Sequence, residues 1–158
     1  MNIYKLQKQQ LIKAPIQAVW DFFSSPANLA KLTPPYMKLC VTSGPLPDYT
    51  YAGQIITYKV SPLLGVPLSW MTEITHVEQY KRFVDEQRFG PYKLWHHQHH
   101  FSEHSNGVLM TDIVHYALPL WFIGSLAHSL FVKKQLQGIF DYRCQVIEQE
   151  FNNCAAGR

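Results

Sequence analysis

Trp95, His97, His99 and Phe101 occupy alternate positions in a run that also holds His96, Gln98 and His100. Alternate residues of a β-strand share a face, so two imidazoles and two large aromatics point the same way. Imidazole titrates near neutral pH and ligates metals, so such a face can orient a carbonyl or hydroxyl, move a proton or hold an ion. The aromatics assign this set to the interior and leave His96, Gln98 and His100 outside. A second alternating run, Met110, Asp112, Val114 and Tyr116, follows Asn106-Gly107, the strongest hairpin signal in the chain. With those two residues as the turn, Phe101 faces Asp112, His99 faces Val114 and His97 faces Tyr116.

A third strand completes the set. If the turn at Gly90-Pro91-Tyr92 leaves Phe89 opposite Lys93, Asp85 lies opposite His97 and Gln87 opposite Trp95. The expected inward face then mixes aromatics with Asp85, Gln87, His97, His99 and Asp112. Each buried polar group costs free energy unless it is paired, so a purely structural core rarely has this composition. One reading is a half-polar pocket that orients a ligand; the other is a satisfied network that only fixes the sheet. For catalysis the candidates are His97, His99, Asp85 and Asp112. His97, His99 and Asp112 also offer metal ligands, but without cysteine or HExxH partners no metal is assigned, and no cofactor. His96, His100, His104 and His115 read as solvated surface.

The elements that position these residues follow from periodicity. Ile3 to Ala14 reads as a strand. Pro15 suits a first helical turn, and Ile16, Val19, Trp20 and Phe23 continue it to about Ser24. Pro26 starts a second helix over Ala27 to Leu32, which ends before Pro34. Period-two segments near 38 to 43, 53 to 61, 68 to 78, 82 to 90, 93 to 103 and 108 to 117 form an antiparallel meander. After Pro119 the period returns to 3.6, with Leu126, Leu130, Phe131, Leu136, Ile139, Phe140, Val146 and Ile147 on one stripe. A helix of about 27 residues is on the order of 40 Å long and buries that stripe only against a concave, twisted sheet. The fold class is α+β: a curved antiparallel sheet of about seven strands around a long C-terminal helix, with two short helices after the first strand.

Composition sets the outer limits. The chain has 158 residues, 47% hydrophobic and 14% aromatic, which predicts a single domain spanning 1 to 158. Its net charge of +3 comes from scattered basic residues, so nucleic acid is not an expected partner. Cys40, Cys144 and Cys154 lack CxxC spacing, and Met1 to Lys13 has no apolar signal region, so the expected location is cytoplasmic. Two segments are unusually apolar: Ser61 to Leu68, read as a hairpin tip, and Leu118 to Ile123, the entry to the long helix. They pack on each other, or dock a protein, a ligand tail or a membrane; with no basic cluster nearby, membrane contact has little support. Oligomeric state is left open.

Together these residues resemble the SRPBCC or START-like superfamily with the helix-grip fold, and within it the small bacterial ligand-binding, polyketide cyclase-like SRPBCC domains. The resemblance rests on Ala14-Pro15 with Val19-Trp20 and Phe23, on Leu32-Thr33-Pro34-Pro35, and on Phe83, Asp85 and Gln87 leading into Gly90-Pro91-Tyr92. It continues through Trp95, His97, His99 and Phe101, then Met110, Asp112, Val114 and Tyr116, and closes with Ile139-Phe140-Asp141-Tyr142-Arg143. The glycine-rich turn common before the seventh strand is here Ser105-Asn106-Gly107. The resemblance implies a cavity between sheet and long helix for a hydrophobic or amphipathic small molecule such as a lipid, isoprenoid, quinone or polyketide-like aromatic. It does not imply one reaction. The expected ligand-binding residues are Phe83, Asp85, Gln87, Trp95, His97, His99, Phe101, Met110, Asp112, Val114, Tyr116, Trp70, Phe140 and Arg143, with Arg143 reaching Asp112 or Asp85 across the cavity. A cyclase, dehydratase or hydrolase using a His/Asp pair, and a protein-interaction module using the apolar mouth, are the alternatives.

Overall fold

A computed structural model describes residues 2–63, 65–119 and 126–153. Its seven strands, β1 (Tyr4–Ile12), β2 (Cys40–Val41), β3 (Ile55–Leu63), β4 (Val66–Glu78), β5 (Arg82–Phe89), β6 (Leu94–His104) and β7 (Gly107–Ala117), form one antiparallel sheet in the order β1-β7-β6-β5-β4-β3-β2. After β1 comes helix α1 (Ile16–Ser24), and the chain closes with α2 (Leu126–Ile147) and a π-helical turn, Glu148–Asn153. This is the expected helix-grip architecture.

Curvature has identifiable causes. Register shifts interrupt the β3–β4 ladder between Val60 and Leu63, and the β4–β5 ladder between Met71 and Thr72 and between Ile74 and His76. Each extra residue bends its strand and strengthens the right-handed twist. The last bulge lies directly against Asp85, which pairs with Ile74 on one side and His97 on the other. On the concave side, α2 buries Val132, Leu136, Phe140 and Ile147, spaced by one, one and two helical turns.

The core has two ends. Trp20 and Phe23 of α1 pack on Phe83, Phe101 and Met110, closing one end of the sheet. Leu6, Val114 and Tyr116 pack on Val132, Leu136 and Phe140 toward the other.

Four sequence expectations need correction. The second short helix is one 3₁₀ turn, Pro26–Asn28, followed by irregular turns; the Asn28 side chain donates to the Phe22 carbonyl instead of supporting a continuing helix. A further 3₁₀ turn covers Pro35–Met37. The β3 and β4 strands run through the apolar tip, with Leu63 paired to Val66. Leu130, placed on the buried stripe, is 59% exposed. The segment 120–123 lies outside the described residues, as does Cys154; Cys40 and Cys144 are free thiols.

The fourth correction concerns the β6–β7 hairpin. Its turn is Ser105-Asn106, and His104 pairs with Gly107, so His99 faces Asp112, His97 faces Val114 and Phe101 faces Met110. Gly107 is needed for another reason. Its φ is +135°, and a Cβ there would stand 2.0 Å from the Ile12 carbonyl oxygen. The shift is two residues, which preserves the faces, so the inward set is the one expected.

Gly107→Ala is expected to lose more than about 1 kcal/mol of stability through backbone strain. Gly138→Ala, on an open helical position with nothing within 4 Å of the new Cβ, is expected to gain about 0.5–1 kcal/mol. Urea titration of the two variants checks both signs.

Candidate functional site

Between the concave sheet and α2 lies a cavity of about 640 Å³. Its lining is mostly apolar: Ile56, Val60, Trp70 and Trp95 from the sheet, Met37 and Tyr92 from connecting segments, and Val132, Leu136, Ile139 and Phe140 from α2. The aromatic wall is continuous, since Trp70 meets Tyr58, Tyr92 and Trp95 at ring-centroid distances of 5.9, 5.6 and 5.4 Å. Polar atoms collect at one pole, where Tyr58, Thr72, Asp85, His97, His99 and Arg143 line the space. Tyr58 and Thr72 share a hydrogen bond of 2.9 Å, and the Trp70 indole donates to the same Thr72 oxygen at 3.1 Å.

Behind that pole the histidines form a closed network. His97, His99 and Asp112 are all buried. His97 donates its Nε2 proton to Asp112 Oδ1 at 3.0 Å, and His99 donates its Nε2 proton to Asp85 Oδ2 at 2.8 Å. The remaining nitrogens are also close to carboxylates: His97 Nδ1 is 3.3 Å from Asp85 Oδ2 and His99 Nδ1 is 2.9 Å from Asp112 Oδ1. Arg143 reaches across from α2 to form an ion pair with Asp112 at 3.4 Å, and its Nη2 donates to His99 Nδ1 at 3.1 Å. The rings are held by packing as well, with Phe83 stacked on His99 at 4.1 Å and Phe140 edge-on to His97 at 5.4 Å.

The electrostatics follow from these contacts. Burial alone would raise the Asp85 carboxyl, but His97 and His99 outweigh it and hold Asp85 low. Asp112 is held well below the usual carboxylate range against the same penalty, by Arg143 and both histidines. Burial opposes the charged form of His97, yet the two aspartates raise its pKa. His99 goes the other way, lowered by burial and by the neighbouring His97. The shifts favour positive charge on His97 over His99, and His99 in its neutral form, protonated on Nε2, accepts from Arg143.

Eight of the expected binding residues line the cavity: Trp70, Phe83, Asp85, Trp95, His97, His99, Phe140 and Arg143. Six do not. Phe101 and Met110 fill the α1 end of the core, and Val114 and Tyr116 fill the opposite cluster. Asp112 stands behind the histidines. Gln87 turns back on its own loop, donating to the Tyr92 carbonyl at 2.7 Å and accepting from the Tyr92 amide at 3.2 Å. Its oxygen would also lie 2.4 Å from a Cβ at Gly90, so glycine there leaves room for the latch. The sequence reading missed Tyr58 and Thr72. Their signal was present in the alternation of Ile56, Tyr58 and Val60 and of Trp70, Thr72 and Ile74, which face each other across β3 and β4.

The outward histidines are partly ordered. His96 bonds Glu86 at 2.7 Å, and Gln98 bridges His96 and His100, each at 2.9 Å. At the rim, Thr33 and Met37 line the cavity and Pro62 lines it from the β3–β4 tip. Gln135 of α2 donates to the Pro62 carbonyl and ties the helix to that tip. No helix among the described residues is long and apolar enough to cross a membrane.

In sequence the chain matches no family model and no curated protein. In structure it is similar to a protein from Thermus thermophilus, with a TM-score of 0.68 and 18% identity over 98% of this chain and 100% of that one. A protein from Mycobacterium smegmatis gives 0.65 and 18% identity over 94% of each chain. The major latex-like protein 151 of Panax ginseng gives 0.65 and 15% identity over 94% of this chain and 97% of that one. These likenesses and the architecture show the fold: the chain is a helix-grip protein, a curved antiparallel sheet closed around a long C-terminal helix.

Asp112→Asn is expected to cost about 3–5 kcal/mol, because Arg143 then lies half-buried without its carboxylate. The two depressed aspartates contribute stability that is complete above about pH 4 and lost as pH falls through their native pKa values. His97 contributes in the opposite sense, fully below about pH 6.5 and decreasingly as pH rises through its raised value. Chemical denaturation against pH should therefore give an acid limb that is shallower in the variant.

Proposed function

We propose that this protein binds or carries a hydrophobic or amphipathic small molecule, with an apolar body among Trp70, Trp95, Ile139 and Phe140 and a polar end toward Asp85, Tyr58 and Thr72. The observation that carries this reading is the cavity itself, a space of about 640 Å³ with an almost wholly apolar wall and one polar pole. A fold that only needed stability would fill such a space, because each unfilled methylene volume costs free energy. Ser24 also lines the cavity, and its buried hydroxyl has no hydrogen-bond partner among the described residues.

Binding is favoured over proton transfer by the state of the histidines. Each ring nitrogen of His97 and His99 lies within 3.3 Å of an aspartate oxygen. A general base needs a lone pair directed at substrate, and here each ring nitrogen is already engaged by a carboxylate or by Arg143. Lipid, isoprenoid, quinone and polyketide-like aromatic ligands all fit the distribution of polar and apolar surface.

Titration with an environment-sensitive apolar dye tests this reading. Wild-type protein should take up one dye per chain, and Ile139→Trp, which fills the cavity from α2, should reduce uptake at least tenfold with the far-UV spectrum unchanged. Equal uptake by the two proteins would place the dye elsewhere and refute the cavity as the binding site.

A further inference from the structure

We propose that Asp85, His97 and His99 form a binding site for a divalent transition-metal ion at the polar pole of the cavity. One carboxylate oxygen and two imidazole nitrogens from these residues lie within 4.8 Å of one another. The convergence is specific to particular atoms. His99 Nε2 and His97 Nδ1 approach the same oxygen, Asp85 Oδ2, at 2.8 and 3.3 Å. Metal–ligand bonds of about 2.1 Å place neighbouring ligand atoms roughly 3–3.5 Å apart, so an ion needs only a small outward movement of His99.

The other nitrogen of each ring supports the same assignment. His97 Nε2 and His99 Nδ1 both lie against Asp112 Oδ1, at 3.0 and 2.9 Å. A metal-bound histidine characteristically donates its second N–H to a carboxylate, which fixes the tautomer and aims the ring. Metal binding here displaces the Nδ1 proton of His97 where that ring is charged and moves the His99 proton from Nε2 to Nδ1, where it is donated to Asp112 in place of the Arg143 contact. Here one buried carboxylate serves both rings, and Arg143 holds it from α2. Asp85, His97 and His99 line the cavity and Asp112 does not, so the three coordinating residues border the open space and the orienting carboxylate stands behind them. Two histidines and one carboxylate on one side of an ion leave its remaining positions to water or to a polar ligand atom in the cavity. Imidazole and carboxylate together suit Zn²⁺, Fe²⁺ or Co²⁺ better than Ca²⁺ or Mg²⁺.

The site does not depend on an organic ligand, and its test uses none. Protein dialysed against EDTA and titrated with Co²⁺ alone should bind one ion per chain and develop the visible absorption of a protein-bound, nitrogen-ligated cobalt. X-ray absorption of that complex should show two imidazoles in the coordination shell. Asp85→Asn should weaken binding at least tenfold, and Asp112→Asn, a positioning change, by about 10–100-fold with the same two imidazoles still bound. A variant lacking the outward histidines His96, His100, His104 and His115 should bind as the wild type does. No binding by wild-type protein, a shell without two imidazoles, unchanged affinity in folded Asp85→Asn, or loss of binding in the outward-histidine variant would each overturn the proposal.

Discussion

The buried Asp112 carboxylate organises the interior of this protein. A carboxylate removed from water is costly unless its oxygens are occupied by donors and its charge is balanced. Asp112 meets both conditions through three residues on two elements: His97 and His99 on β6 and Arg143 on α2. The interaction therefore sets the seat of the long helix on the sheet as well as the orientation of both rings. It also leaves Asp85, the second carboxylate of the network, as the one that borders the cavity.

The space beside that network exists because the sheet curves and the helix seats on one side of the cluster. Bulges interrupt the β3–β4 and β4–β5 ladders and add to the curvature of the sheet, while α1 closes one end with Trp20 and Phe23 against Phe83 and Phe101. Between the closed end and the Trp70, Tyr92 and Trp95 wall the side chains do not meet. The polar cluster thus forms one pole of an otherwise apolar chamber, an arrangement suited to holding a molecule with one polar end. Fold alone would not support that conclusion, since similar folds carry unrelated activities; the placement of these particular residues does.

Much of this was legible in the sequence because β-strand alternation is a strong signal where one face is buried. It assigned Trp95, His97, His99, Phe101, Met110, Asp112, Val114 and Tyr116 to the interior, and it matched Asp85 to His97. The hairpin register was misread by two residues, since Asn106-Gly107 resembles a tight turn while Gly107 is in fact required by the close passage of Ile12. Period two is blind to such an error, so the face was right and the partner of His99 was wrong. Periodicity was also blind to depth: Asp112 and Tyr116 share the inward face but stand behind the cavity wall, and Gln87 is drawn into its own turn. Those outcomes depend on strand curvature and on where α2 rests, which are set by long-range packing.

The most direct test of the account is the protonation state of the two buried imidazoles, read by nitrogen–proton correlation spectroscopy in metal-free protein. The account expects both Nε2 protons to be protected and hydrogen-bonded, and His97 to hold its second proton to higher pH than His99 does. Asp112→Asn should shift the signals of both rings together. Two histidines that titrate independently near about pH 6.5, with rapidly exchanging protons, would contradict a network organised by Asp112.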